Sequence, residues 1–347
     1  MLAVAAAELG ATPSLGSLPA MARFTKRKRH HKPVAKLLHQ AEELREMARS
    51  IANCANSLSV LLELPEGGDP FAMLTGYNPC NRRACPMCEW RRSMVWRGRL
   101  LGGLDAFFEK HPTHRAVFAT FTVRNVPVTE LGQTIKDMHA AWNRLAQCKF
   151  FPTPYWFRRT EVTLKHVQQP STAASVTVCH TDQGNVYRPE GSGPVMAHPH
   201  IHSLLLVPAS YFSHGYVRQT EWQKQWMMAG RLDYAPVVDV RRARATFTTG
   251  EAFYDARAAG IEAMKYTVKA TDMVKLAADL PEFVHQMRFH RLVAMSQALR
   301  EFVPEHDPTA AEMGDDRVAG LPSLHPSVAC VASWDDSISD YNLRPRA

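Results

Sequence analysis

The sequence of 347 residues lacks the features of a membrane or secreted protein. No apolar run is long enough to span a bilayer, which excludes a membrane array. Residues 1–22 are rich in Ala and Leu but have no basic n-region, and Glu8 interrupts the apolar stretch, so a signal peptide is not expected. Its 7 Cys form an odd number without a disulfide framework, which favours a reducing, cytoplasmic compartment.

The sequence also has no internal repeat and no P-loop of the form GxxxxGK[ST]. What it does have is the composition of a folded globular protein, with 46% hydrophobic and 21% charged residues. Its net charge of +8 favours a polyanionic partner, nucleic acid first, because Lys and Arg gain by releasing the counterions of phosphates. On charge alone, a basic protein without such a partner remains the alternative.

Periodicity along the chain predicts a mixed fold. Strands separated by helices and long loops indicate an α+β or α/β class, and the connection lengths leave both open. Residues 23–32 form a basic block that we expect to be a solvated arm on DNA phosphates, and the aperiodic tail after Val303 is expected to be disordered. Strands are predicted at 115–124, 155–165, 200–207 and 235–242, and helices at 34–64, 95–110, 129–148, 250–280 and 282–302.

Three cysteines lie close together in the sequence, at Cys80, Cys85 and Cys88. A Cys-x-x-Cys turn presents two sulfurs to one tetrahedral Zn²⁺, so a structural zinc site with a basic, DNA-facing rim is predicted. Reduced core or surface cysteines and a redox pair are the alternatives, and the clustering of three thiols among arginines weakens both. The fourth ligand is missing locally, and its candidates are Cys54, His111 and His114.

The segment HPHIHSLLLV, residues 198–207, carries a histidine at every second position as it enters an apolar strand. Residues two apart in a strand share a face, so His198, His200 and His202 project together as ligands for a divalent ion. Glu161 can supply a third ligand if its strand pairs beside this one. The alternatives are Glu161 as an exposed partner of a neighbouring basic residue, and a His-x-His pair of the kind that zinc hydrolases also use.

A helix predicted near residue 266 carries three polar groups on one face. Glu262, Tyr266 and Lys269 follow the i, i+4, i+7 spacing that aligns side chains along a helix. A phenol has a pKa of about 10 and attacks a phosphodiester only when a metal and cations offset the developing charge. Lys269 is a candidate contact for the scissile phosphate. An ordinary half-buried tyrosine beside a surface ion pair is the alternative.

Taken in order, CNRRACPMC, TEVT, HPHIHSLLL and EAMKYTVK resemble the motifs of the replication initiators of small rolling-circle bacterial plasmids, which belong to the HUH endonuclease superfamily. The resemblance covers roughly residues 75–275. His200 and His202 match the superfamily's ligand pair, which leaves His198 as a flanking residue. Tyr266 matches the nucleophile, and Glu262 matches the glutamate that a single-tyrosine branch uses in place of a second tyrosine.

The resemblance implies an α+β fold, namely an HUH palm with a central antiparallel sheet flanked by helices and an N-terminal helical, zinc-binding extension. The histidine strand is expected at the centre of the sheet and the tyrosine helix across its face. The expected division is a disordered basic leader at 1–33, a helical and Cys-cluster region at 34–105, the HUH endonuclease domain at 106–280, and a C-terminal helix with a disordered tail at 281–347.

The resemblance also implies an activity, which is nicking and strand transfer at the double-strand origin through a 5′-phosphotyrosine, with termination assisted by Glu262. The implied cofactors are Mg²⁺ or Mn²⁺ on His200, His202 and Glu161, beside the structural Zn²⁺. The implied partners are the origin duplex, the single-stranded nick site, and a host helicase and DNA polymerase, with no membrane.

Other functions fit part of the pattern. A single-strand transposase or a conjugative relaxase would use the same ligands and nucleophile, although the missing P-loop disfavours large fused relaxases and viral-type initiators. A zinc-containing DNA-binding regulator would need only the cysteines and the basic residues. A zinc hydrolase acting on small molecules explains neither the basic block nor the tyrosine helix.

Overall fold

The computed structural model describes residues 14–18, 22–63, 71–166, 176–181, 184–189, 195–243, 252–264, 270–305 and 327–346. Its α-helices are α1 (Ala22–Lys28), α2 (His31–His39), α3 (Arg45–Asn53), α4 (Pro86–Lys110), α5 (Leu131–Gln147), α6 (Gln219–Gly230), α7 (Ala252–Ala263), α8 (Ala270–Lys275), α9 (Leu280–Gln286) and α10 (Gln297–Arg300). Its strands are β1 (Ser57–Glu63), β2 (Phe71–Tyr77), β3 (Arg115–Thr122), β4 (Val126–Pro127), β5 (Trp156–His166), β6 (Val176–Thr181), β7 (Gly184–Pro189), β8 (Val195–Val207), β9 (Val238–Arg242), β10 (Val293–Met295), β11 (Ser327–Asp335) and β12 (Asp340–Pro345). None of these helices is both long and apolar enough to cross a membrane.

The chain divides into two compact units. The first contains Met1–Val95, His180–Gly184 and Pro308–Ala347, and the second contains Trp96–Cys179 and Asn185–Asp307. Helix α4 contributes residues to both. This division differs from the four consecutive segments expected from the sequence, because the C-terminal segment belongs to the same unit as the N-terminal one.

The second unit is built on a six-stranded sheet with the order β10-β5-β8-β3-β9, in which β4 also pairs with β8. Every pairing in it is antiparallel. Strand β8, which carries the histidines, therefore lies at the centre, between β5 and β3. The α+β class and the antiparallel sheet flanked by helices are confirmed.

Helices cover both faces of this sheet. Because successive side chains of a strand point to opposite faces, alternate residues of β8 enter two different cores. One core joins the sheet residues Phe118, Leu204 and Leu206 to Leu100 and Leu104 of α4 and to Ala256, Ala259 and Ala263 of α7. The other joins Val117, Phe121, Ile201 and Leu205 to Trp142 of α5 and to Trp222 and Trp226 of α6.

The first unit contains a four-stranded sheet with the order β12-β11-β1-β2, in which all pairs are antiparallel. Strand β1 buries Leu58, Val60 and Leu62 and leaves the alternate side chains half-buried or exposed. This period of two explains why the helix predicted over 34–64 is wrong at its end. The helical spacing stops before Ser57, and the segment instead contains α2, α3 and β1.

The tail and the basic block also differ from the sequence prediction. Residues 327–346 are not a disordered tail, because β11 and β12 pair with each other and with β1. Residues 23–32 are not a solvated arm, because α1 buries Phe24, Thr25 and Lys28. The two segments meet where the Thr25 hydroxyl donates a hydrogen bond to Asp340 Oδ1 at 2.7 Å.

The helix predicted over 282–302 is also interrupted. It contains the end of α9, then the short strand β10, then α10. Strand β10 pairs with β5 and forms an edge of the six-stranded sheet, so tertiary pairing outweighs the helical spacing of these residues.

A substitution in β12 tests whether the C-terminal segment belongs to the fold. Leu343 is 3% exposed, so Leu343→Ala should lower the free energy of unfolding by about 2–5 kcal/mol, because it removes buried methyl groups and leaves a cavity. Its neighbour Arg344 is exposed, and Arg344→Ala should change the free energy by less than about 0.5 kcal/mol. Urea titration followed by tryptophan fluorescence compares the two. Equal stability of both variants would contradict the packing of β12.

Candidate functional site

Three side chains that bind divalent ions converge on the central strands of the second unit. The register sets Glu161 of β5 directly opposite His200 of β8. Glu161 Oε2 lies 3.3 Å from His202 Nε2 and 3.8 Å from His200 Nε2. We call Glu161, His200 and His202 the triad, and one ligand atom from each lies within 4.8 Å of the others. The strand pairing that the sequence left conditional therefore occurs.

The charge state of the triad suits a cation. Burial by itself raises the pKa of Glu161, but the contacts of its carboxylate with His200 and His202 outweigh burial and bring the pKa to about 2. Glu161 is therefore a carboxylate at neutral pH. The alternative role of Glu161, as an exposed partner of a neighbouring basic residue, does not fit these contacts.

The Nδ1 atoms of His200 and His202 each have a polar partner of their own. His200 Nδ1 donates to the carbonyl oxygen of His198 at 3.1 Å, which leaves Nε2 with a free lone pair in the neutral ring. His202 Nδ1 lies 3.0 Å from the hydroxyl of Thr120, the residue opposite His202 in β3. Such outer contacts fix the ring orientation and the tautomer of metal-binding histidines.

His198 lies beside the triad without joining it. Its Nδ1 is 2.7 Å from Asn125 Oδ1, and its ring centroid is 5.5 Å from that of His200. Among the described residues, the cluster that could hold an ion at this site consists of the triad alone. The geometry therefore agrees with the flanking position that the motif gave to His198.

Helix α7, which carries Glu262, ends close to strand β5. Arg159, whose register partner in β8 is His202, donates from Nη1 to the carbonyl oxygen of Met264 at 3.3 Å. Met264 directly follows α7 and is buried. Glu262 is half-buried in the last turn of α7. Tyr266 and Lys269 lie outside the described residues, two and five positions beyond Met264.

The cysteine cluster lies in the first unit and includes a fourth thiol. One sulfur from each of Cys54, Cys80, Cys85 and Cys88 lies within 4.8 Å of the others. The Cys54 and Cys88 sulfurs are 3.5 Å apart, and those of Cys80 and Cys88 are 3.8 Å apart. Cys54 directly follows α3, 26 positions before Cys80, and no local spacing marks it as a ligand.

The other two candidates for a fourth ligand pack elsewhere. His111 and His114 contact Phe107, with ring centroids 4.6 Å and 5.3 Å from it. They belong to an aromatic group at the end of α4 in the second unit, together with Tyr155. Neither is a member of the cysteine cluster.

The backbone around the cysteines favours thiolates. Pro86 begins α4, so Cys85 and Cys88 lie at the N-terminus of a long helix, where free N–H groups stabilise negative charge. Asn81 adopts a positive φ of 56°, which lets the chain turn between Cys80 and this helix. Contacts among the four thiols lower the pKa of Cys88 and raise those of Cys54 and Cys85. The group is thus prepared to bind a soft cation.

Comparison with known proteins identifies the family. A family model described as "Replication protein" matches residues 71–341, a range that includes Cys80, the triad and the tyrosine helix. The chain belongs to this Replication protein family. The resemblance to plasmid rolling-circle replication initiators drawn from the motifs is thereby confirmed.

The chain is also similar to individual bacterial proteins. "Protein rep" of Streptococcus pneumoniae serotype 2 is 33% identical over 193 residues, 55% of this chain and 51% of that protein, so the match spans about half of its length. "Protein rep" of Bacillus amyloliquefaciens is 28% identical over 327 residues, 86% of this chain and 85% of that protein. "Protein rep" of a Bacillus species is 30% identical over 294 residues, 77% and 83% of the two chains. No solved structure matches the chain.

The chain also has a buried lysine beside its cysteines that sequence reasoning missed. Lys28 is 3% exposed, and its ammonium donates to the carbonyl oxygens of Cys54 at 2.7 Å and Ala52 at 3.0 Å and to Asn56 Oδ1 at 2.6 Å. Burial lowers its pKa to about 8, against the opposing effect of Cys54. The ammonium therefore fixes the segment that presents Cys54.

His31 links this lysine to the thiols. Its Nδ1 lies 3.3 Å from the Lys28 ammonium, which can only donate, so Nδ1 shares one of the three N–H groups with an oxygen acceptor and Nε2 carries the proton. Nε2 lies 3.7 Å from Cys85 Sγ and donates toward it. Lys28 ends α1 and His31 begins α2, so no helical spacing within the basic block marked the two residues as partners.

Two lysines of this block should behave differently when the charge is removed. Lys28→Met leaves three buried oxygens without their donor, so it should lower the free energy of unfolding by about 1–3 kcal/mol. Lys32 forms an exposed ion pair with Asp336 at 2.9 Å. Lys32→Met should therefore lower the free energy of unfolding by less than about 1 kcal/mol. Urea titration of both variants measures the difference. A Lys28→Met protein as stable as Lys32→Met would refute the role of the buried ammonium.

Proposed function

We propose that this replication protein starts rolling-circle replication of a plasmid by nicking one DNA strand at the double-strand origin, with Tyr266 as nucleophile. The observation that carries the proposal is the convergence of Glu161, His200 and His202 on neighbouring strands. Family membership supports a role in replication. The chemistry of nicking rests on the triad and on the motif that contains Tyr266.

The triad suits a divalent cation. A carboxylate oxygen and two imidazole Nε2 atoms face one another, while each Nδ1 is engaged from behind. Mn²⁺ fits this mixed oxygen and nitrogen set well, and Mg²⁺ is the harder alternative. When bound, the ion would polarise a non-bridging phosphate oxygen and offset the charge on the leaving oxygen.

The chain provides the reacting groups around this position. The phenolic oxygen of Tyr266 forms a bond to the scissile phosphorus, and the bond from phosphorus to the 3′-oxygen breaks. The phenolic proton passes to solvent and the 3′-oxygen takes up a proton, which leaves a 5′-phosphotyrosine and a free 3′-OH. Tyr266 follows Met264 by two residues, and the proposal requires its phenol to reach the triad from the Met264 carbonyl that Arg159 binds. Lys269 would contact the scissile phosphate.

Glu262 gives the protein a way to end the reaction. In this proposal its carboxylate accepts a proton from water, the water oxygen bonds to phosphorus, and the bond to the Tyr266 oxygen breaks. An incoming 3′-hydroxyl can take the place of water, which gives strand transfer. One tyrosine then suffices for both the first and the last step.

The proposed setting follows from this chemistry. The protein binds the origin duplex and its single-stranded nick site in the cytoplasm, and the free 3′-OH primes a host DNA polymerase while a host helicase opens the duplex. The positive net charge of +8 supports a DNA partner.

The nucleophile is tested by covalent capture of an origin oligonucleotide with Mn²⁺. Tyr266→Phe should abolish the covalent adduct, because the variant lacks the attacking oxygen. Tyr216 is 59% exposed, and Tyr216→Phe should form the adduct at the wild-type rate. Denaturing gel electrophoresis of the labelled oligonucleotide measures both. An adduct formed by Tyr266→Phe would contradict the assignment of Tyr266 as the nucleophile.

The same assay separates Glu262 from Tyr266. Glu262→Gln should still form the adduct but release it more slowly, because the general base is lost. Unchanged release would reduce Glu262 to a structural residue of α7. An adduct that reseals only at flanking hairpins would point to a single-strand transposase instead.

The four cysteines are the proposed ligands of a structural Zn²⁺. Tetrahedral bonds of about 2.3 Å from zinc to sulfur set neighbouring sulfurs about 3.8 Å apart, and the distances of 3.5 Å and 3.8 Å in this cluster agree with that spacing. Bound zinc would tie α3 to the start of α4 in the first unit.

Zinc content tests this site. Cys54→Ser should lower the zinc bound by the purified protein well below one ion per chain, because it removes one of four ligands. Cys330 is also buried but lies outside the cluster, so Cys330→Ser should keep the wild-type zinc content. Elemental analysis measures both. Full zinc in Cys54→Ser would contradict the four-cysteine site.

A further inference from the structure

An aromatic side chain stands out from the surface of the second unit. Phe289 is 97% exposed and has a φ of 63°. Left-handed backbone is unfavourable for a bulky residue, and single exposed apolar residues are common without any role. Phe289 combines high exposure with a left-handed backbone at a turn, which is unusual. Arg288 precedes it and Arg291 follows two positions later. We call residues 288–291 the RFHR loop.

The loop lies at the edge of the sheet beside the triad. Strand β10 pairs with β5 through Val293 and Arg159, and the next step of the ladder is the hydrogen bond from Thr160 N to Leu292 O at 2.8 Å. Extending this pairing by one residue sets Arg291, the last residue of the RFHR loop, beside Glu161. Neighbouring strands are about 5 Å apart, so the RFHR loop borders the strand that carries the triad carboxylate.

The surroundings of the loop are positively charged. Arg288 and Arg291 are exposed, and the loop itself contains no acidic residue. Glu282, an acid of the preceding helix α9, accepts a hydrogen bond from Gln286 at 2.8 Å. These charges and the exposed ring together suit a polyanion that also carries flat aromatic groups.

A buried arginine adds to this charge. Arg158 is 4% exposed, and its Nε and Nη1 atoms have no hydrogen-bond partner within the described part of the chain. Burial, and then the charge of Arg291, lower its pKa to about 10, so it remains a cation at neutral pH. Arg158 of β5 thus lies near the exposed Arg291, and within the described part of the chain no carboxylate lowers or raises its pKa.

We propose that the RFHR loop is a second contact for single-stranded DNA, in which Phe289 stacks on a base and Arg288 and Arg291 contact the flanking phosphates. This proposal rests on the proposed function, because it assumes that a single strand reaches the triad. Stacking on an exposed ring accepts any base, and arginines that neutralise phosphates release counterions. The contact would hold the strand beside the nick site without reading its sequence.

The test measures binding apart from cleavage. A fluorescein-labelled oligothymidylate is titrated with the full-length protein in the absence of added Mg²⁺ or Mn²⁺, and fluorescence anisotropy gives the affinity. Phe289→Ala should weaken binding by about 5- to 100-fold, the range for loss of one stacked base. Phe289→Trp should bind like the wild type, because the aromatic face is kept. Phe289→Leu should bind like Phe289→Ala.

Controls separate stacking from folding and from general charge. Because Phe289 is almost fully exposed, its variants should melt at the wild-type temperature, and Met228→Ala, which changes another exposed apolar residue, should leave affinity unchanged. With an oligomer of abasic deoxyribose phosphates, wild type and Phe289→Ala should bind equally. Replacing Arg288 and Arg291 by Gln should make the affinity less dependent on salt.

Wild-type affinity of both Phe289→Ala and Phe289→Leu would overturn the proposal. Wild-type affinity of Phe289→Leu alone would do the same, since it would indicate a general apolar surface, such as a protein contact, rather than a stacking site. Failure of the proposed function has a different signature, namely an adduct that survives Tyr266→Phe while oligothymidylate binding still depends on Phe289.

Discussion

The antiparallel pairing of β8 with β5 is the interaction on which the site depends. It sets Glu161 opposite His200 and leaves His202 one pleat away on the same face. A shift of the register by one residue would turn the carboxylate to the other side of the sheet. The register is held by the apolar half of β8, where alternate residues enter two separate cores, so the packing of Leu204 and Leu205 determines whether the polar half can bind an ion.

The sequence pointed to the three residues of the triad because their signal is local. Histidines at period two, a glutamate in a β-rich segment and a helix with a tyrosine can be recognised without tertiary information. The pairing of β5 with β8 could not be derived from these residues, since any of the predicted strands could have been the neighbour. Only the resemblance to a family supplied the central position of the histidine strand, which the sheet order confirms.

The first unit was predicted less well because its contacts are distant in sequence. Cys54 is separated from Cys80 by two strands, and nothing in its surroundings distinguishes it from Cys330. The basic block has the composition of an exposed arm, but Lys28 donates hydrogen bonds to three oxygen atoms and Thr25 donates one to Asp340. Charge composition cannot anticipate partners that the fold brings from the far end of the chain.

The large separation of these partners in the sequence affects the order in which the two units fold. Thr25 and Asp340 are 315 positions apart, and β1 obtains its neighbour β11 only after the whole second unit has been synthesised. Domains generally fold as they emerge from the ribosome. The second unit can therefore form before the four-stranded sheet of the first unit is complete. The four-stranded sheet is therefore completed only after β11 and β12 have been translated, and a chain that stops before them leaves β1 without its second neighbour.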